Sequence, residues 1–574
     1  MYCRQLFGLF VLVTAACGDD SKSATPPDGP ASIDAAPDAD PCANTTCECT
    51  AATQATDCGA HAFCDTTGPG RVCECVAAYA KDGSDACTFA GAPADPGLAD
   101  LTKWTPSSTD VTIDPVGTGS VDPGEGVMNI AAMCANGSLT QTFTMPAFAD
   151  AEPFKLVLTH TEIDTTPLFN RFSTVQLQLG ITGPNGSQWQ EVPLARNQSR
   201  TDTFCLGAAA YGGPVTYQLT TIGTGQQCDA LPVDAMASVR IDQARVEVAA
   251  PGECPAPGAI RDGDFEAGVV TNWAFSGIQG GTGSVMAGVG ENASMGVQLS
   301  APNRCSEVTV TGNVSFPISG ALANPAIDVW WTGPVGTFLD LQLAGKNVAT
   351  LDSTGAATHS RVCVPAWALG TASTIGFFDQ RISDNACTTA INRVFAIDNV
   401  TLVSDAACNG VDDLGFENAT GPVTPWGLTN SYVNDLRGLL TDITSTVGDA
   451  HTGTHALREQ WNNPCVTFGD GGADLTFLEP MPAAGAGPAV KFFAKVPAAN
   501  TQSEARLTLL PSVATGAFVT AAETGNYEAN TLCLPPHLGG RRVTVRASVG
   551  DGGGGCSAVT TETALFDDFE ITTD

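Results

Sequence analysis

The sequence predicts an all-β protein in which a small disulfide-rich module precedes three tandem β-sandwiches, and three observations lead there. The first is a cassette that occurs three times, at residues 205–248, 363–403 and 533–571. In each copy a cysteine is followed by a turn of small residues or proline, a β-rich run (VTYQLTTIG, STIGFF, RRVTVRASV), and a second cysteine 23, 24 or 23 residues after the first. Each copy closes on an alternating run around an aspartate, RIDQARVEV, AIDNVTLV or LFDDFEI, which aligns Asp242, Asp398 and Asp567. A period of two is that of a strand with one buried face. A repeat spacing of roughly 150 to 170 residues is too long for a solenoid and denotes a whole domain. The second observation is that charged residues make up only 15% of a chain holding 62 glycines, which suits short strands joined by turns better than charged helices. The third is 21 cysteines at regular spacings behind an export signal, the usage of structural disulfides in an oxidising compartment.

A length of 574 residues accommodates about three to five domains at ~100 to 200 residues each. The formal charge of -35, from 60 acidic and 25 basic residues, excludes nucleic acid and an anionic membrane surface as partners, because both demand a basic patch. With six histidines and no CxxC pair repeated at zinc spacing, a zinc cluster is not indicated.

Taken in order, residues 1–16 carry one arginine and then a short apolar run, the proportions of a signal peptide rather than a membrane span. The run Val13-Thr14-Ala15-Ala16-Cys17 resembles a bacterial lipobox, with Thr14 where leucine is usual. That resemblance implies lipidation at Cys17 and attachment to the cell outer membrane through the lipid anchor; the alternative is ordinary cleavage and secretion. Residues 17–41, rich in proline, alanine and aspartate, cannot bury a core and read as a disordered tether.

Residues 42–90 hold eight cysteines, a density that small units need for stability. The spacing Cys58-x5-Cys64-x8-Cys73-x-Cys75-x11-Cys87, followed through Tyr79 and Asp82-Gly83, resembles an EGF-like module. The resemblance implies bridges of Cys49 or Cys47 with Cys64, Cys58 with Cys73, and Cys75 with Cys87.

Domains are expected at 96–250, 254–405 and 408–574. The second opens DGDFEAGVVTNWAFSG and the third DLGFENATGPVTPWGLT, a phenylalanine-glutamate pair before a tryptophan, while the first keeps only Trp104. With the closing strands, these openings resemble jelly-roll, galactose-binding-like β-sandwiches found as carbohydrate-binding modules. Phe265, Phe416, Trp273 and Trp426 are expected in cores, where large aromatics dominate. For the disulfides, the two cassette cysteines are the preferred pair in each domain: Cys205–Cys228, Cys363–Cys387 and Cys533–Cys556. Cys254–Cys305 and Cys408–Cys465 would use further cysteines and leave Cys134 over. The jelly-roll resemblance also implies a structural calcium joining first and last strands, held by Glu266 with Asp398 and by Glu417 with Asp567. The bland alternative is separately solvated surface acids. The first domain shows ADLTKW in place of the phenylalanine-glutamate pair and lacks one ligand.

No catalytic constellation stands out, so the expectation is a protein that is not an enzyme. GxSxG and HExxH are absent, and the glycine-rich 550–555 run precedes no helix. His451 and His455 have the spacing of a helical metal pair, but glycine and β-branched neighbours make the segment a strand and turn. Strand parity supplies the site argument. In PAIDVWWTG, Ile327, Val329 and Trp331 share one face and Asp328 and Trp330 the other. A core on the first face leaves Trp330 as an outward platform for a pyranose beside a carboxylate that can accept its hydroxyls. Phe493, flanked by Lys491 and Lys495, is the matching aromatic of the third domain. The expected function is non-catalytic binding of extracellular glycan at the cell surface. The alternatives are an envelope-protein interaction or spacer role, and a secreted hydrolase.

Overall fold

The computed structural model describes residues 49, 57–65, 71–90, 93–98, 100–108, 111–114, 126–130, 136–147, 152–164, 174–192, 194, 197–224, 237–268, 272–318, 320–380, 387–408, 414–417, 426–429, 439–461, 472–478, 488–497, 503–510, 518–534, 542–551 and 562–573. The expectations placed on the leader, Cys17, the tether, Cys134, Cys228, Cys465 and Cys556 concern residues outside that set. Among the described residues two units separate, one within 1–58 and 64–74, the other within 59–63 and 75–574. The first contains the bridges Cys49–Cys64 and Cys58–Cys73; the second contains Cys75–Cys87. These are the pairings that the EGF-like resemblance implies, with Cys49 taking Cys64.

The chain is all-β, and the second unit contains three β-sandwiches. Each has a sheet built around its closing strand. In the first, Ser199–Cys205, Phe154–Asp164, Ala237–Val248, Gly126–Ile130 and Val111–Asp114 are hydrogen-bonded in that order. In the second the order is Thr358–Cys363, Pro325–Thr332, Ala390–Ser404, Met295–Asn303, Thr282–Ala287. In the third it is Tyr527–Cys533, Pro488–Lys495, Glu562–Thr573, Ala456–Trp461, Leu439–Thr444. The facing sheet of the first sandwich has five strands, while those of the second and third join into one ten-stranded sheet through the pair Asn347↔Leu428. One hydrophobic cluster fills each sandwich, built from the alternate positions of both sheets. Among the described residues no helix is long and apolar enough to cross a membrane.

The repeat is visible at atomic detail where each domain opens and closes. Every closing strand shifts register against its neighbour, at Ile241/Gln243, opposite Asp328/Trp330, and opposite Lys491/Phe493. At the shift an amide turns away from the ladder: Ala244 N donates to Pro96 O (2.8 Å), Val400 N to Gly263 O (2.8 Å) and Phe569 N to Leu414 O (3.0 Å). A bulge frees one backbone group from strand pairing, and here that group captures the opening segment. Two residues after the captured carbonyl come Leu98, Phe265 and Phe416, all in the left-handed region with φ of 52°, 53° and 60°. That backbone costs roughly 1–2 kcal/mol for a residue with a Cβ. Burial of the side chain offsets it, since all three are at most 1% exposed. Phe265 and Phe416 lie 5.0 and 5.3 Å from Trp273 and Trp426, and all four are core residues, as parity and size predict.

The cassette disulfides are corrected. Cys205 pairs with Cys254, Cys363 with Cys408, and Cys305 with Cys387; Cys254–Cys305 and Cys408–Cys465 do not form, and Cys533 is a free, exposed thiol. Strand length is the physical reason. Ala390–Ser404 has 15 residues and at ~3.3 Å per residue spans about 45 Å. Cys363 lies beside Ala326, which also pairs with Val403 near the strand's far end, so Cys408 is its neighbour. Cys387 precedes the near end, where Ala390 pairs with Asn303, two residues from Cys305. The bridges close loops of 45 to 82 residues, each contributing on the order of 4 kcal/mol in the chain-entropy account. Peptide mapping of the unreduced protein is expected to recover Cys205–Cys254, Cys305–Cys387 and Cys363–Cys408; recovery of Cys363–Cys387 would contradict the register.

Candidate functional site

Parity on Pro325–Thr332 holds. Ile327 and Val329 are 0% exposed and Trp331 1%, while Asp328 and Trp330 lie half-buried on the opposite, outer face. The neighbouring edge strand supplies what lies beside them, pairing His359 with Trp330 and Arg361 with Asp328. Asp328 is already engaged: its Oδ2 is 2.9 Å from His359 Nδ1 and its Oδ1 accepts from Arg361 Nε at 3.1 Å. His359 Nε2 in turn lies 3.3 Å from Glu291 Oε1, and Glu291 Oε2 accepts from Asn399 Nδ2 at 2.7 Å. Burial works against protonation of His359, but the two carboxylates outweigh it and raise its pKa. The amide of Asn399 and then His359 hold Glu291 below its usual range.

The result is an indole bordered by a row of polar groups, of which His359, Arg361 and Glu291 have side chains 44%, 54% and 30% exposed and Asp328 only 13%. Asp328 therefore orients His359 and Arg361, and the groups open to a ligand are the three that sequence reasoning did not single out. Alternation in THSRVC would have put His359 and Arg361 on one face, but nothing in the sequence places that strand beside Trp330.

Phe493 occupies the same register in the third sandwich, opposite Asp567 as Trp330 is opposite Asp398. It is not an open platform. His451 stacks on it at 3.7 Å and 14°, held there through Nδ1 to Asp568 Oδ2 at 2.6 Å. Tyr527 adds a second ring 5.1 Å from His451. His451 and His455 are thus structural: His455 sits 3.7 Å from Glu417.

The acids expected to hold calcium accept from groups of one hairpin turn in each of the two sandwiches. Asp398, 1% exposed, accepts from Glu291 N (2.8 Å) and Ser294 Oγ (2.7 Å), and Glu266 accepts from Met295 N (3.0 Å) on the same turn. In the third sandwich Asp567, 0% exposed, accepts from His451 N (2.7 Å) and Thr452 N (3.2 Å), and Glu417 from Thr454 N and His455 N. Asp398 and Asp567 are buried, whereas Glu266 and Glu417 are exposed and are held by amides of the same turn. Burial raises the pKa of Asp398, with the Glu266 charge pushing the same way, and burial lifts Asp567 to about 6. Burial also pushes Glu417 upward, but the amides of His455 and Thr454 outweigh it and hold it low. A Cβ on Gly290 would fall 2.1 Å from Met295 O and 2.3 Å from Asp398 Oδ2, so these two oxygens converge where glycine leaves room. In the second sandwich an all-oxygen set with two repelling carboxylates suits a hard cation. Glu266 with Asp398, and Glu417 with Asp567, are the residues that would hold it. In the first sandwich Asp242 stands at the bulge, but the residue after Leu98 is Ala99.

No family model matches the chain, and no curated protein matches it. Solved structures align over parts of it. The tandem CBM22 domain of Paenibacillus barcinonensis Xyn10C is 14% identical with a TM-score of 0.19, covering 53% of this chain and 94% of that one. TmCBM61, solved with β-1,4-galactotriose, is 12% identical with a TM-score of 0.20, covering 27% and 97%. The N-terminal cellulose-binding domain of Cellulomonas fimi β-1,4-glucanase C is 14% identical with a TM-score of 0.18, covering 28% and 97%.

The buried acids set a pH dependence. An acid whose pKa is raised by folding stabilises the fold fully below its unfolded value, and that contribution is lost as pH rises through the folded value. In chelator, the stability difference between wild type and Asp567→Asn is therefore expected to decline from about pH 4 to just above the folded value of about 6 and then level off. Excess calcium is expected to raise melting of the second and third sandwiches and to leave the first unchanged, because a ligand bound only by the native state stabilises it. An equal response of all three in calorimetry would contradict the assignment.

Proposed function

We propose that the chain is a non-catalytic carbohydrate-binding protein, exported and anchored at the cell outer membrane through a lipid on Cys17, with its sugar-binding surface on the outer face of the second sandwich. The observation that carries the reading is the half-buried Trp330 indole bordered by His359, Arg361 and Glu291. Indole faces take the apolar face of a pyranose, and flanking groups that both donate and accept suit its hydroxyls. The ion-pair network fixes those groups before a ligand arrives, which lowers the entropy lost on binding. Engagement of Asp328 by His359 and Arg361, and of Glu291 by His359 and the Asn399 amide, favours recognition over acid–base chemistry. The tether, the EGF-like module and the structural calcium belong to the same reading: they hold out and brace the sandwiches.

Binding of the full chain to neutral polysaccharides, followed by affinity electrophoresis, is expected to be lost in Trp330→Ala, since removing a stacking platform costs up to a few kcal/mol, on the order of a hundredfold in affinity. Phe493→Ala is expected to bind as wild type does, because His451 covers that ring. Equal binding by wild type and Trp330→Ala, with melting unchanged, would show that the sugar sits elsewhere. Absence of binding to every polysaccharide by folded wild type would favour the envelope-interaction role. The anchor is tested separately: Cys17→Ser is expected to move the protein from the membrane fraction to the soluble one, and unchanged fractionation and mass would remove lipidation from the proposal.

A further inference from the structure

A second recess lies where the three sandwiches meet. Cavities of ≈ 360 and ≈ 680 Å³ share Trp189 of the first sandwich, Trp367 and Thr371 of the second, and Arg542 of the third. Those volumes are in the range that holds small ligands, ~300–1,000 Å³. The walls are set firmly. Trp189 is 8% exposed and lies flat on Gly180, where a Cβ would come within 2.7 Å of the ring. Arg542 Nη1 donates to Trp189 O at 2.6 Å, and Gln178 Nε2 donates to Arg542 O at 3.2 Å. Lys346 Nζ donates to Thr476 Oγ1 at 2.5 Å, and both cations lie against Trp367, Lys346 at 5.8 Å and Arg542 at 5.6 Å from the ring centroid.

The charges in this recess run against the composition of the chain. In a protein with 60 acidic and 25 basic residues, three basic side chains line one cavity. Arg546 has its own partner, Asp474, at 2.6 Å. Among the described residues neither Lys346 nor Arg542 forms an ion pair; the carboxylates of Asp474 and Glu191 act on Lys346, and that of Glu191 on Arg542, only through space. Burial pulls Lys346 down to about 8 and lowers Arg542 too, as befits cations short of countercharge. Charges withdrawn from water are ordinarily paired, so two half-buried cations with no carboxylate in contact, on the wall of an open cavity, define a place for an anion. The tryptophans beside them supply apolar ring surface.

We propose that this junction cleft is a second binding site, for an anionic saccharide unit, with the sugar ring against Trp189 and Trp367 and its carboxylate at Lys346 and Arg542. The site does not depend on the outer face of the second sandwich. It is tested on the full chain by calorimetric titration with trigalacturonate and with its methyl ester, which keeps rings and linkages and removes the charge. The acid is expected to bind and the ester to bind at least about tenfold more weakly, the scale of a lost hydrogen bond to a charged group. Lys346→Met should weaken the acid by a similar factor, Glu191→Gln should tighten it, and Trp330→Ala should leave it unchanged. The proposal is overturned if neither compound binds, if acid and ester bind alike, or if Trp330→Ala abolishes acid binding. Should Lys346→Met lower the melting temperature, Glu191→Gln at the cleft decides, and an affinity unchanged from wild type overturns it.

Discussion

In each sandwich one backbone hydrogen bond, from Ala244, Val400 or Phe569 to Pro96, Gly263 or Leu414, ties the last strand to the first segment. Much else is arranged around it. The bulge that frees the amide places an aspartate under the hairpin turn in the second and third sandwiches and brings left-handed Asn399 and Asp568 into the closing strand, a backbone that asparagine and aspartate tolerate best. The same opening segment delivers Phe265 or Phe416 into the core and receives the indole N–H of Trp273 at Asp262 O, as Asp95 O receives that of Trp104. One local irregularity thus determines the core aromatic, the acid pair and the seating of the hairpin.

What the sequence disclosed and what it hid follow from the range of the interactions involved. Period-two alternation is a local property, so the repeat, the strand class and the outward placement of Trp330 were legible in PAIDVWWTG and in the closing runs. The opening glutamates and closing aspartates could be aligned because the repeat occurs more than once. Cross-strand neighbours are not local. That Cys363 lies beside the far end of a 15-residue strand, and so takes Cys408 rather than Cys387, depends on sheet order. His359 and Arg361 became site residues for the same reason. The covering of Phe493 is hidden from its own strand because the ring on it, His451, comes from a turn some forty positions away.

Electrostatics divides the molecule into unlike environments. Acids predominate overall, but at the outer face of the second sandwich Asp328 orients His359 and Arg361, and at the hairpins Asp398 and Asp567 are withdrawn from water. The junction reverses the balance, with Lys346 and Arg542 against one indole.

The bridges Cys205–Cys254 and Cys363–Cys408 each fasten the segment just beyond a closing strand to the edge strand of the same sandwich. Seen mechanically, each is a strap. Tension drawn along the chain between sandwiches enters the covalent bridge before it reaches the end of the closing strand, so the ladder is not peeled open one hydrogen bond at a time from that end. Load then bypasses the closing strands of the first and second sandwiches, while the third, whose Cys533 is a free thiol, lacks this strap among the described residues.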